Sequence, residues 1–176
     1  MDFQPLLART IHPGIESAAR YCREIADGRE MPRRQDFRPT KVRSILGYIF
    51  LLDVLPGDYR FSLCGVHMSV LYGANVTDIC LSEFPDRELA GRLTKTYDEV
   101  VAARTYQYIR GQYSWPDRAL NIERLLVPMT GADGRLNAIL GVTMAECPAD
   151  MLVIHAGVGV AKLVIDEEIT GKVLAL

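Results

Sequence analysis

FLLDVLPGDYRFSLCGV, residues 50–66, holds two apolar segments around a Pro-Gly-Asp reversal and closes on a glycine. Tyr48 to Leu55 reads as a buried strand. From Asp58 to Gly65 a second strand follows, in which Tyr59, Phe61 and Leu63 alternate with Arg60, Ser62 and Cys64. Period-two alternation puts one set of side chains on one sheet face. A tight reversal between two such runs predicts an antiparallel hairpin, with Tyr59, Phe61 and Leu63 together on its buried face.

The pattern changes on both sides of the hairpin. Downstream, VHMSVLYG reads as a short helix ended by Gly73. A loop through Asn75, Thr77 and Asp78 leads to a longer helix from Pro85 to about Arg104. Leu89, Leu93, Tyr97, Val100 and Val101 fall on one face of it, and proline suits its first turn. Three strands are then predicted: TYQYIRGQYSW, RALNIERLLVPM and RLNAILGVTMA, the last two joined by the turn TGADGR. Upstream, Ile15, Ala18, Ala19, Cys22 and Ile25 have helical spacing over Pro13 to Asp27, with Gly28 placed to end the helix. Its thin apolar stripe predicts packing on another surface. The Arg29–Arg43 connection is irregular, and the tail from Asp150 mixes strand and helix signals. Hairpin-linked strands flanking helices make this an α+β domain with one antiparallel sheet. The expected divisions are residues 1–44 (helix and connection), 45–146 (core) and 147–176 (extension).

At 176 residues with 49% hydrophobic and 24% charged side chains, the composition is that of a globular domain. The net charge of -2 gives no global argument for nucleic acid. Residues 1–43 carry nine Lys/Arg against six Asp/Glu, and the remainder eleven against sixteen. A solvated basic connection accounts for that asymmetry as well as a binding site does. The four cysteines, Cys22, Cys64, Cys80 and Cys147, form no CxxC pair, so neither metal-site spacing nor a disulfide framework is indicated. The first twenty residues carry Asp2, Arg9, Glu16 and Arg20 without an apolar run, so no signal peptide is read there. The most apolar stretch, MLVIHAGVGVAKLVI from Met151, is broken by His155 and Lys162 and is short of a membrane span. A reduced cytoplasmic protein, off the membrane, is expected.

The order of elements, with several local motifs, resembles a bacterial PAS-like family. Its pattern places an MPxRxDxDP-like segment after a helix; here MPRRQDFRP has Met31, Pro32, Arg34, Asp36 and Pro39 in place, and Arg38 where an acid is usual. A leucine-rich strand ending in an acid is matched by YIFLLDV, and a following fRyrLxGT-like strand by YRFSLCGV. ERLLVPM and AILGVTM match two later strands. The resemblance covers roughly Ala18 to Ala145. Val66 stands where the family often has threonine, removing a hydroxyl at the strand-to-helix corner, and Tyr21 stands where it often has tryptophan. The resemblance implies a PAS-like five-stranded antiparallel sheet with helices on one face, plus an N-terminal helix and a C-terminal tail. It also implies sensing or protein interaction rather than catalysis, with a small molecule between sheet and helices or dimerisation through the N-terminal helix.

Five residues are the candidate ligand-binding set: Tyr59, Phe61 and Leu63 as sheet wall, with His67 and Tyr97 from the covering helices. His67 has no spaced partner for haem or metal, so a helix-surface or satisfied core role outweighs ligation. NVTDICLSEF does not match the flavin-binding cysteine sequence of light-sensing PAS domains, and Cys64 and Cys80 read as small buried thiols. Tyr106, Tyr108, Tyr113 and Trp115 suit strands as readily as a pocket. GVGVAK, from Gly157 to Lys162, lacks the third glycine of a phosphate loop. The acid pairs Asp53/Asp58 and Glu167/Glu168 have no nucleophile partner, and no GxSxG, HExxH or P-loop occurs. In the basic connection, local pairing of Arg34 with Asp36 is favoured over nucleic-acid contact. No cofactor is expected.

The expected function is therefore a non-catalytic sensory or protein-interaction module. It would act through a regulatory protein partner and as a homodimer, with a small apolar ligand as candidate modulator. The rivals are a small-molecule-processing enzyme using the same cavity, and a nucleic-acid adaptor using residues 29–43.

Overall fold

In the computed structural model of the protein, residues 1–9, 11–115, 118–145 and 162–170 are described; for 113–115, 118 and 162–170 this is the backbone alone. The hairpin forms: β1 (Ile49–Leu55) and β2 (Asp58–Cys64) pair antiparallel, with Leu55 opposite Asp58 across Pro56-Gly57. α3 (Val66–Tyr72) and α4 (Arg87–Ala103) follow, then β3 (Gln107–Trp115), β4 (Arg118–Thr130) and β5 (Leu136–Ala145). The expected five-stranded antiparallel sheet is present in the order β2-β1-β5-β4-β3. A sixth strand, β6 (Lys162–Thr170), adds antiparallel to the outer side of β3 and resolves part of the ambiguous tail. The expectation on GVGVAK lies outside the described residues up to Ala161.

Local chemistry sets the helix ends. Asp86 caps α4 by accepting the Leu89 N–H at 2.9 Å, so the helix starts two residues after Pro85. Upstream, α1 is a single turn (Gln4–Leu7) and α2 runs Pro13–Ala26. His12 caps α2, its Nδ1 accepting the Gly14 N–H at 3.0 Å, and Pro13 fills the first turn.

Two cores lie on opposite faces of the sheet. Leu52, Tyr59, Phe61, Leu126 and Ile139 point toward α3 and α4 and meet Met68, Leu93, Tyr97 and Val100. Ile49, Leu51, Leu125, Val127, Leu140 and Val142 point the other way and meet Phe3, Leu6, Ile15, Ala18, Ala19 and Cys22. Close approach replaces bulk at one point: a Cβ on Gly141 would lie 2.0 Å from the Phe50 ring. The apolar stripe of α2 is thus buried on the chain's own sheet. Small residues at positions 18, 19 and 22 make the stripe thin because the helix sits close to the strands, not because it awaits a partner.

One expectation is corrected in β2. Leu51 pairs with Leu63 but Leu52 pairs with Phe61, leaving Ser62 as an extra residue in a β-bulge. A bulge reverses the facing of everything beyond it. Tyr59 and Phe61 therefore face α3 and α4, whereas Leu63 packs with the N-terminal core.

Candidate functional site

Between the sheet and α3/α4, where the ligand site is expected, aromatic side chains converge. Phe61 is central: its ring lies 5.8 Å from Phe50, 5.4 Å from Tyr72 and 5.8 Å from Phe84, with which it stacks. Tyr97, from α4, reaches Tyr59 at 5.3 Å edge-on and Phe50 at 6.4 Å. Tyr72 meets Phe84 edge-on at 5.9 Å. These separations are those of directly packed aromatic pairs. The helical spacing that put Tyr97 on the inner face of α4, and the alternation of Tyr59 with Phe61, suffice to bring three of the five candidate residues together.

The other two are elsewhere. Leu63 lies across the sheet, beyond the Ser62 bulge. His67 stacks on Tyr48 with ring centroids 4.1 Å apart, outside the aromatic cluster. The corner that carries it is tight: a Cβ on Gly65 would meet the Gly47 carbonyl oxygen at 2.4 Å. Glycine lets the 3-10 segment Arg43–Tyr48 cross the start of α3, so Tyr48 can cover the imidazole.

The polar edge of the cluster is defined by Tyr59, whose hydroxyl donates to Asp98 Oδ1 at 2.6 Å. Burial first, and then the Asp98 hydrogen bond and charge, push this phenol well above its ordinary range. It is held as a neutral donor. Asp58 closes the far end of β2, accepting from the Tyr59 N–H at 2.7 Å and the Ser82 hydroxyl at 2.6 Å. Desolvation acts against its ionised form, but hydrogen bonds from Ser82 and Tyr59 outweigh it and lower the pKa.

The three described thiols are all shifted upward. Burial pushes Cys22 up to about 12 and raises Cys64 as well. Cys80 is raised by desolvation and by the carboxylates of Asp58 and Glu83. Nucleophilic cysteines need the opposite shift. Among the described residues, no three His, Cys, Asp or Glu side chains group as metal ligands. No described helix is long and apolar enough to cross a membrane.

The MPRRQDFRP segment is a strap fixed at both flanks. Met31 and Phe37 are buried, the Pro32 carbonyl accepts the Thr130 N–H at 3.0 Å, and the Tyr21 hydroxyl accepts the Arg38 N–H at 2.7 Å. The expected Arg34–Asp36 pair is not made. Arg34 instead reaches Asp53 at 2.7 Å, and Asp36 takes Arg29 at 2.7 Å. Arg60 approaches the other oxygen of Asp53 at 2.6 Å, so two guanidinium groups hold one nearly buried carboxylate on the sheet. Sequence reasoning missed this clasp. Its signal was a lone acid in the apolar run FLLDV, which needs a cationic partner if buried. A second anchor also went unread: Glu123 Oε2 accepts the His12 N–H at 2.9 Å and the Tyr108 hydroxyl at 3.0 Å, tying the start of α2 to β4.

With sheet, covering helices and strap in place, the comparison with known proteins is direct. The sequence matches the PAS domain family over residues 10–144, most of the chain. The chain belongs to the PAS domain family, a family of signalling and sensory modules. Among solved structures, the PAS domain from Bordetella pertussis BvgS is similar at 18% identity, with a TM-score of 0.40 over 55% of this chain and 72% of that one. No curated protein matches.

Proposed function

We propose that this protein is a non-catalytic signalling module that works by binding another protein rather than by processing or housing a small molecule. One observation carries the reading: the space between the sheet and α3/α4 is occupied by interlocked rings of Phe50, Tyr59, Phe61, Phe84 and Tyr97. A small apolar ligand lodged among these rings would have to displace them, and packed aromatic cores resist such displacement. Near that region Cys64 and Cys80 are both raised and Tyr59 is neutral, which favours no activated thiol or phenol there. The setting that fits the free cysteines is the reducing cytoplasm.

Native mass spectrometry of the full chain tests this. The expected result is a mass at 19.6 kDa, or at a simple multiple if the bound protein is a second copy, with no small molecule attached. A stoichiometric small molecule, or turnover of one, would overturn the reading.

A further inference from the structure

Of the six basic side chains between Arg29 and Arg43, Arg33 is half-buried where its backbone bridges Thr130, and the other five divide into two groups. Arg29 and Arg34 are neutralised by Asp36 and Asp53, each at 2.7 Å. Arg38, Lys41 and Arg43 are exposed and make no ion pair among the described residues. The Arg38 guanidinium rests on the carbonyls of Gln35 and Phe37, the latter at 3.1 Å, and leaves donors outward. This uncompensated group sits on a held backbone. Phe37, Val42 and Ile45 are buried between the cations, and consecutive 3-10 turns (Pro39–Lys41 and Arg43–Tyr48) carry them.

From this arrangement we infer that Arg38, Lys41 and Arg43 form a docking surface for an acidic, extended peptide segment of the partner protein. The inference rests on the protein-binding reading above and names the kind of partner. Geometry supports it: the Lys41 N–H donates to the Arg38 carbonyl at 2.9 Å, a single i to i+3 turn. Such a turn spaces side chains by about 6 Å along its axis. An extended peptide presents same-side carboxylates about 6.8 Å apart, since each residue rises about 3.4 Å. The strap already binds carboxylates, through Arg29 and Arg34, using the same side-chain chemistry. A rigid backbone lowers the ordering cost of docking. Nucleic acid fits less well, because Phe37, the strap's aromatic residue, is 8% exposed and so withdrawn from base stacking.

The test uses the full chain and three labelled probes of equal length: an alternating Glu-Ser dodecapeptide, its Gln-Ser counterpart and a twelve-nucleotide single-stranded DNA. Binding is followed by fluorescence anisotropy at low salt. The Glu-Ser peptide is expected to bind at least ~10-fold more tightly than the Gln-Ser peptide, and R38Q/K41Q/R43Q to abolish that difference with an unchanged melting midpoint. A control variant, R23Q/K95Q/R104Q, removes the same charge from two exposed helix positions and the exposed cap of α4, and is expected to keep it. Equal loss in the control, retention in the strap variant, equal binding of the two peptides, or tighter binding of DNA would each overturn the inference. Native mass spectrometry of the same preparation separates the two readings. A protein free of small molecule that ignores the acidic peptide refutes the docking surface alone, whereas a bound small molecule refutes the protein-binding reading itself.

Discussion

The two faces of the sheet are buried by different means. Toward α3 and α4 the filling is aromatic, with Phe61 touching three other rings. Toward α2 it is aliphatic and close-set, with Ala18, Ala19 and Cys22 fully covered. Large rings hold a helix away from a sheet and interlock with it. Small residues let a helix come close enough for backbone-adjacent contact, as where a Cβ on Gly14 would lie 2.0 Å from the Met144 methyl carbon. One face depends on a few large side chains, the other on a whole segment lying flat. The cover of the second face comes from the first 26 residues, so both faces belong to one folding unit.

Removing the cover gives the largest expected effect. A chain starting at residue 29 would expose Leu125, Val127, Leu140 and Val142 together, beside losing Phe3, Leu6 and Ile15 from the core. Burial of each such side chain contributes about 1.5–3 kcal/mol, and the sum rivals the stability of a whole domain. The expected product is aggregated or loosely packed, with strong dye binding and no near-ultraviolet circular dichroism. A monomeric truncation with native dichroism would break the comparison by showing that the second face needs no cover.

Single substitutions sharpen it. Phe61→Ala should cost about 3–5 kcal/mol in chemical denaturation, because burial is lost and a void remains. Leu63→Ala, at a half-buried position across the bulge, should cost less, about 1–2 kcal/mol. Equal costs would argue that both residues share one core. On the close-set face the opposite change is the harmful one: Ala19→Leu should destabilise by about 1–3 kcal/mol through overpacking. A neutral outcome in denaturant titration would show slack between α2 and the strands.

The hairpin, the long helix and the three later strands were legible in residues 50–145, because alternation and helical spacing are properties of the chain itself. The bulge was not: nothing in DYRFSLC distinguishes Ser62 as an extra residue, since polar residues alternate through the whole run and the register is set by β1. The pairings of Asp53 with Arg34 and Arg60 depend on the strap crossing the sheet, a tertiary fact. That Tyr59, Phe61 and Tyr97 come together could be read because the two strand residues lie on the same side of the bulge and Tyr97 lies on an unbroken helix. Leu63 sits apart from them because of the bulge, and His67 because its ring stacks on Tyr48.

The smallest effects concern the phenols at the edges of the two faces. Burial first, and then Glu123, raise Tyr108 to about 12, above its ordinary value of 10.0. The unfolded chain thus loses this proton at lower pH than the folded one. Stability from this group is complete below about pH 10 and is lost as pH rises from there through about 12. Denaturation midpoints should be flat between pH 7 and pH 9, fall between pH 10 and pH 12, and fall less steeply in Tyr108→Phe. An unchanged slope in that variant would mean that Tyr108 does not report on the closure of the second face. At neutral pH, Tyr59→Phe should cost about 1 kcal/mol, the net worth of its hydrogen bond to the exposed Asp98 carboxylate.

The bulge at Ser62 also bears on how this strand tolerates change in length. Because facing alternates residue by residue, Ser62 acts as a parity switch: positions before it and positions after it obey opposite rules for which side is oily. Deleting that serine would restore strict alternation and leave Leu63 opposite Leu51 and Cys64 opposite Phe50, so a one-residue deletion here keeps every facing, whereas the same deletion elsewhere in the strand would invert a segment. A relative without the bulge would need its apolar residues moved by one place to bury the same two cores. Comparing the two position by position, without a gap at Ser62, would then align inward side chains with outward ones.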